Sequence, residues 1–176
     1  MEKSKQTGLV QIYTGEGKGK STAAFGLAVR AAGWGMKTAI VQFMKKGQWY
    51  GESKSLPLLP QIEVYAYGSG QMLHKGQANE EHKQPAAEAL AKARELLQAD
   101  LDILILDEIF NAIWFDLIQE EDYLNILSAR PPHLEIVATG RNASAVAITA
   151  ADLVTEMREI KHPYQRGILA RRGIEY

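Results

Sequence analysis

Cysteine is absent from the chain, which excludes disulfides, a thiolate nucleophile and any Cys-ligated metal, and suits a reducing compartment. An excess of one charge is missing too. Against 20 Lys and Arg stand 21 Asp and Glu, so net charge supplies no general attraction to nucleic acid or to an anionic membrane. No apolar run approaches the ~20 residues of a membrane span, and the opening stretch Met1 to Gly8 is polar and charged, without a signal-peptide core. The histidines, His74, His82, His133 and His162, lack any paired ligand spacing, which argues against a His-based metal site. Internal repeats and low-complexity linkers are also lacking. Together these absences predict a cytoplasmic protein with neither nucleic acid nor membrane as partner.

What is present is ordinary globular composition, 46% hydrophobic over 176 residues, enough for one full core and little more, so a single domain spanning 1–176 is expected. Its organising stretch is Thr14-Gly15-Glu16-Gly17-Lys18-Gly19-Lys20-Ser21-Thr22, which joins a short apolar strand (Leu9, Val10, Ile12, Tyr13) to an Ala-rich helix. Phosphate oxygens must come close to backbone N–H groups, and side chains would block that approach. Glycines are therefore needed where a loop wraps a phosphate, and the following helix adds the positive end of its dipole. In such a cradle Lys20 reaches the terminal phosphate oxygens and the Ser21 hydroxyl ligates Mg²⁺. The pattern is a variant: Thr14 stands where a first glycine is usual, with extra glycines at 15 and 17.

A second element, Leu101-Asp102-Ile103-Leu104-Ile105-Leu106-Asp107-Glu108, reads as a buried strand ending in two acids, which a parallel sheet would bring beside the loop to bind Mg²⁺ directly or through water. Thr38 to Phe43, Ile62 to Tyr67, Leu134 to Thr139 and Leu153 to Met157 read as further strands, the last as a core strand. The helix carrying Ala86, Ala89, Leu90, Ala93, Leu96 and Leu97 starts near Gln84, or runs from Asn79 with a kink at Pro85. Asn142 reads as the N-cap of a helix over 143–150. Two loops at strand ends stand out: Met44 to Glu52, with Trp49 and Tyr50, and Gly68 to Gly76. Trp114 and Phe115 suit the core better than a site wall. Arg141 lies where a strand-end loop either aims a guanidinium at phosphates or leaves it on the surface. Strands alternating with helices predict an α/β fold, a mainly parallel sheet with helices on both faces and a site at the carboxyl ends of the strands. The residues by themselves reach as far as a Mg-nucleotide binder, with a P-loop ATPase or small-molecule kinase among the readings.

The glycine loop extended to Tyr13 and Ala24, with Val41-Gln42-Phe43, Leu106-Asp107-Glu108, Thr139-Gly140-Arg141, Lys161-His162 and Gly173-Ile174-Glu175-Tyr176, resembles the P-loop ATP:cob(I)alamin (corrinoid) adenosyltransferases from about Gly8 to Tyr176. The resemblance implies a RecA-like P-loop fold, a homodimer, and transfer of the 5′-deoxyadenosyl group of MgATP to Co(I) of a corrinoid with release of triphosphate. Mg²⁺ or Mn²⁺ is the implied metal and a flavoprotein the implied reductant. It further implies that Thr14 to Thr22 bind the triphosphate, that Lys20 and Arg141 act on the leaving group, and that Ser21 and Glu108 hold the metal with Asp107 in support. By the same match Arg30 contacts the nucleotide, which lies reversed relative to other P-loop enzymes. Two features depart from the family: Gly70-Gln71-Met72-Leu73 replaces the Gly-Phe-Thr-Trp loop whose aromatics displace the lower cobalt ligand, and only seven residues precede Gly8 where some members carry a long extension.

Overall fold

Six parallel strands form one sheet in the order β3-β2-β4-β5-β1-β6 in the computed structural model, which describes residues 7–46, 50–69 and 73–176. The strands are β1 Val10–Thr14, β2 Thr38–Gln42, β3 Ile62–Ala66, β4 Ile103–Asp107, β5 Glu135–Thr139 and β6 Leu153–Glu156. Between them run α1 Lys20–Ala32, α2 Glu52–Ser55, α3 Glu80–Leu96, α4 Ile109–Trp114, α5 Glu120–Ala129 and α6 Ala145–Thr149. Trp49, Gly70, Gln71 and Met72, singled out above, lie outside the described residues.

Strand periodicity of two divides the core between the faces. Ile40, Ile103, Ile105 and Val137 pack with Ala24, Phe25, Ala28, Ala31 and Ala32 of α1, while Ala39, Val41, Leu104, Leu106, Ile136 and Ala138 pack with α3, α4 and α5. The central strands β2 and β4 are buried at every position because helices cover both faces. The α/β architecture with helices on both sides is thus as expected, and its site end is defined by one register. Gln42 lies opposite Asp107, and Tyr13 opposite Thr139, so β1, β2, β4 and β5 end together.

Two local expectations are corrected and one open alternative is decided. The Leu153 to Met157 strand is an edge strand, exposed at all four residues of β6, because only β1 flanks it; apolar composition alone does not reveal how many neighbours a strand has. Asn142 has φ 57° and caps nothing, and Ser144 is the N-cap of α6, its hydroxyl accepting from the Ala147 N–H at 3.0 Å. Of the alternatives at Pro85 the longer holds. The helix α3 starts after Asn79 and runs through the proline, with an Asn79–His82 capping box and the burial of Ala86, Ala89 and Leu90 offsetting the missing hydrogen bond.

Candidate active site

The glycine loop leaves β1 and turns back against the chain after β6. Met157 N–H donates to the Thr14 carbonyl at 2.8 Å and Gly17 N–H to the Met157 carbonyl at 2.6 Å. Gly15 has φ 94°, and a Cβ there would fall 2.5 Å from the Met157 carbonyl oxygen, so the close approach of two backbones requires glycine. The loop ends on Gly19, the N-cap of α1 at φ 119°, and the first residues of that helix, Lys20, Ser21 and Thr22, line a cavity of about 1060 Å³. Lys20 folds back over the loop, its ammonium donating to the carbonyls of Gly15 at 2.6 Å and Gly17 at 2.7 Å. Burial lowers the Lys20 pKa, helped by the neighbouring Arg141 and opposed by Glu16 and Glu108.

Across the cavity stand the two acids, and they differ. Asp107 is fully buried and its oxygens are engaged: Oδ1 accepts from the Thr139 hydroxyl at 2.8 Å, and Oδ2 lies 3.1 Å from both Gln42 Nε2 and Lys45 Nζ. Glu108 has a left-handed backbone, φ 62°, fixed by its N–H donating to Thr139 Oγ1 at 2.9 Å, and it lines the cavity. Burial first, then the Asp107 charge, pushes its carboxyl up to about 7, against the opposing pull of Lys45, Lys20 and Arg141. Between the ordinary carboxyl value of 4.5 and about 7 the folded protein therefore keeps a proton that the unfolded chain has released. This contribution to stability is full below the ordinary value and is lost as pH rises through about 7. Urea midpoints measured across that window should fall more steeply with pH in the wild type than in Glu108→Gln.

Arg141 reaches the same space from the β5 end, where its guanidinium pairs with Glu16 at 3.1 Å and its backbone N–H donates to Asn111 Oδ1 at 2.7 Å. Gly140 makes that approach possible. At φ 144° a Cβ would lie 2.8 Å from Phe110 Cβ and 2.9 Å from Asn111 N. Gly140→Ala is expected to destabilise the protein by about 1–3 kcal/mol, read as a lowered urea midpoint, and to move Arg141 off its Asn111 contact.

Of the residues singled out in the sequence, Glu16, Lys18, Gly19, Lys20, Ser21, Thr22, Glu108 and Arg141 line this cavity, and Gly17 lines an adjoining one of about 640 Å³ shared with Glu16, Lys18, Lys20, Glu108 and Arg141. Thr14, Gly15 and Asp107 stand behind the lining, Thr14 Oγ1 accepting from the Ala143 N–H at 3.3 Å. Arg30 is not brought in: it is exposed on α1, about 15 Å along the helix axis from Lys20, and its charge bears on Tyr13. Trp114 belongs to the cavity wall, contrary to the core expectation, and is 42% exposed because α4 ends there, whereas Phe115 lines the cavity while packing against the core.

Two contributions were not assigned from the sequence. Lys45 is buried between Asp107 and Glu52, with the rings of Phe25 and Tyr50 at 5.2 and 5.0 Å. Burial alone would lower its pKa, yet the charges of Asp107, Glu108 and Glu52 hold it above the ordinary lysine value. The signal available was a lysine pair, Lys45-Lys46, three residues past the end of a fully buried strand. Gly173 to Tyr176 also line the cavity, tied to the loop where Lys18 Nζ donates to the Ile174 carbonyl at 3.0 Å and meets Glu175 at 3.1 Å.

Residues 6–176 match the family model described as ATP:corrinoid adenosyltransferase BtuR/CobO/CobP. This chain belongs to that family. Among the curated corrinoid adenosyltransferases, one from Sinorhizobium is 38% identical over 99% of this chain and 83% of its own length. The corrinoid adenosyltransferase CobA of Salmonella typhimurium is 34% identical over 97% of this chain and 87% of its own. The likeness to solved structures carries the fold, a RecA-like P-loop arrangement. A KaiC-like protein of Pyrococcus horikoshii superposes with TM-score 0.55 at 13% identity, covering 88% of this chain and 74% of its own. The flagellar accessory protein FlaH of Methanocaldococcus jannaschii gives 0.53 at 14%, covering 85% and 71%. In this corrinoid adenosyltransferase chain the Lys20, Glu108 and Arg141 side chains line one cavity at the strand ends of a RecA-like P-loop fold.

Proposed function

We propose that the chain transfers the 5′-deoxyadenosyl group of ATP to the Co(I) centre of a corrinoid substrate and releases triphosphate. In this step the cobalt lone pair forms the Co–C5′ bond while the C5′–O bond breaks. Triphosphate leaves with the bonding electrons, and cobalt is formally oxidised by two electrons. Co(I) is itself a strong nucleophile, so no side chain needs to remove a proton. The protein's work is positioning and stabilising the departing charge.

The observation that carries this reading is the convergence of the glycine loop, Lys20 and Arg141 on one cavity of about 1060 Å³, in a chain of this family. That volume is at or above the ~300–1,000 Å³ usual for a drug-sized ligand, room for a nucleotide and part of a second substrate. Backbone N–H groups of the glycine loop, apart from that of Gly17, which donates to Met157, cradle the triphosphate, lying reversed so that C5′ faces the corrin, and Lys20 and Arg141 neutralise its charge.

Mg²⁺, or Mn²⁺, would be held by Ser21 and Glu108 and would supply further charge neutralisation on the triphosphate. The donor set fits: Mg²⁺ is ordinarily bound by one or two carboxylates with phosphates and waters rather than by an all-protein cage. Asp107, its oxygens already engaged, supports from behind by ordering Thr139 and Lys45. Because the Glu108 carboxyl is pushed up to about 7, MgATP affinity should weaken as pH is lowered through that value, and titration calorimetry on both sides of it checks this.

The chain is further proposed to act as a single cytoplasmic domain, as a homodimer, with a flavoprotein supplying the electron that makes Co(I). No helix among the described residues is long and apolar enough to cross a membrane. Mixing the protein with MgATP and chemically reduced cobalamin should give a light-sensitive cobalt–carbon product; hydrolysis of ATP with the cobalamin unchanged would overturn the proposal.

A further inference from the structure

The cavity wall contains an aromatic side chain that triphosphate binding does not use. Trp114 ends α4, six residues past Glu108 and so about 9 Å further along the helix axis. It lines the cavity together with Phe115 and Asn111, yet it is 42% exposed, whereas Phe25, an aromatic deeper in the same lining, is 6% exposed. The indole therefore belongs to the mouth. It is also held there: the Lys75 ammonium, on the segment that follows β3, sits 3.4 Å from the ring centroid, a cation–π contact that fixes the ring and ties two strand-end segments together.

We infer that Trp114 is the aromatic platform on which the flat macrocycle of the corrinoid rests as it presents cobalt to the nucleotide, and hence a determinant of corrinoid affinity. This rests on the adenosyl-transfer reading and names the residue that receives its second substrate. The ligand's chemistry selects the mouth over the interior. A tetrapyrrole-sized ring fringed by carboxamides is too large to be enclosed with ATP in about 1060 Å³, so it must dock by one face against exposed apolar surface while its polar fringe stays in water. Trp114 offers a large rigid apolar face, and Lys75 beside it places an N–H donor within reach of that fringe. The nucleotide is drawn instead to the loop N–H groups, Lys20 and Arg141.

The test compares wild type, Trp114→Gln and Trp114→Phe with MgATP and pre-reduced cobalamin, and measures cob(II)alamin binding to each by equilibrium dialysis. Stacking of this kind and its buried area predict that Trp114→Gln raises the cobalamin KM and the cob(II)alamin Kd by roughly tenfold or more. The ATP KM should stay within about twofold, and Trp114→Phe, which keeps an aromatic face, should recover most of the loss. An unchanged cobalamin KM and Kd in Trp114→Gln would overturn the assignment, as would a rise confined to the ATP KM, which would make the ring an adenine contact. Failure of the wild type to form any cobalt–carbon product would sink the adenosyl-transfer reading itself. Should Trp114→Gln fail to fold, Trp114→Leu takes its place, keeping an apolar side chain without the flat face, and the same loss is expected.

Discussion

Lys20→Ala is expected to reduce turnover with pre-formed Co(I) by at least roughly 10²–10³-fold, the effect of removing one preorganised donor from a developing anion. The ammonium lies half-buried and bonded to the Gly15 and Gly17 carbonyls at 2.6 and 2.7 Å, which hold it over the loop that wraps the triphosphate. Burial and the Arg141 charge lower its pKa, which makes it a group that gains from an incoming polyanion. Stability should move far less, by about 1 kcal/mol, since only hydrogen bonds to carbonyls are removed. Single-turnover rates combined with urea unfolding separate the two effects. A variant that turns over normally would remove Lys20 from the reaction.

Lys45→Met should have the largest effect on stability. It leaves Asp107, fully buried, with only Gln42 and Thr139 to satisfy a charge that Lys45 now neutralises from 3.1 Å. Removing one partner of a buried pair costs about 3–5 kcal/mol, whereas replacing both can be close to neutral. The double variant Lys45→Met with Asp107→Asn should therefore recover much of the loss, which equilibrium urea unfolding of the three proteins measures. A functional consequence follows from the same contacts. Lys45 lowers the Glu108 pKa and pins Glu52 and the Tyr50 ring beside the cavity. In Lys45→Met the Glu108 carboxyl should hold its proton to higher pH, and the pH at which MgATP binding weakens should rise with it.

How much of this was visible in the sequence follows from how local each signal is. The glycine loop, Lys20, Ser21 and the Asp107-Glu108 pair are contiguous patterns whose spacing is set by backbone geometry, and the structure brings them to one cavity. Arg141 was legible for the same reason, as a residue just past the end of a strand. Lys45 was not, because its meaning depends on Asp107, 62 residues away, and the two meet only through the β2–β4 register that sets Gln42 against Asp107. Arg30 differs in the opposite direction: a residue matched by position along a helix still points where the helix turns it, and here that is to solvent, outside the lining of the cavity. Trp114 was misread because apolarity favours burial on average, while α4 is too short to carry its last residue into the core. The exposure of β6 and the shift of the α6 cap from Asn142 to Ser144 depend on neighbours and on backbone angles that composition does not encode.

Phosphorus NMR of a reaction containing MgATP, excess reduced cobalamin and the wild-type protein follows the bond that breaks. Adenosyl transfer predicts intact tripolyphosphate accumulating in one-to-one proportion with the light-sensitive alkylated corrin, and neither in Lys20→Ala. ADP or orthophosphate in place of tripolyphosphate, or tripolyphosphate without alkylated corrin, would contradict cobalt attack at C5′ with the three phosphates departing as a unit.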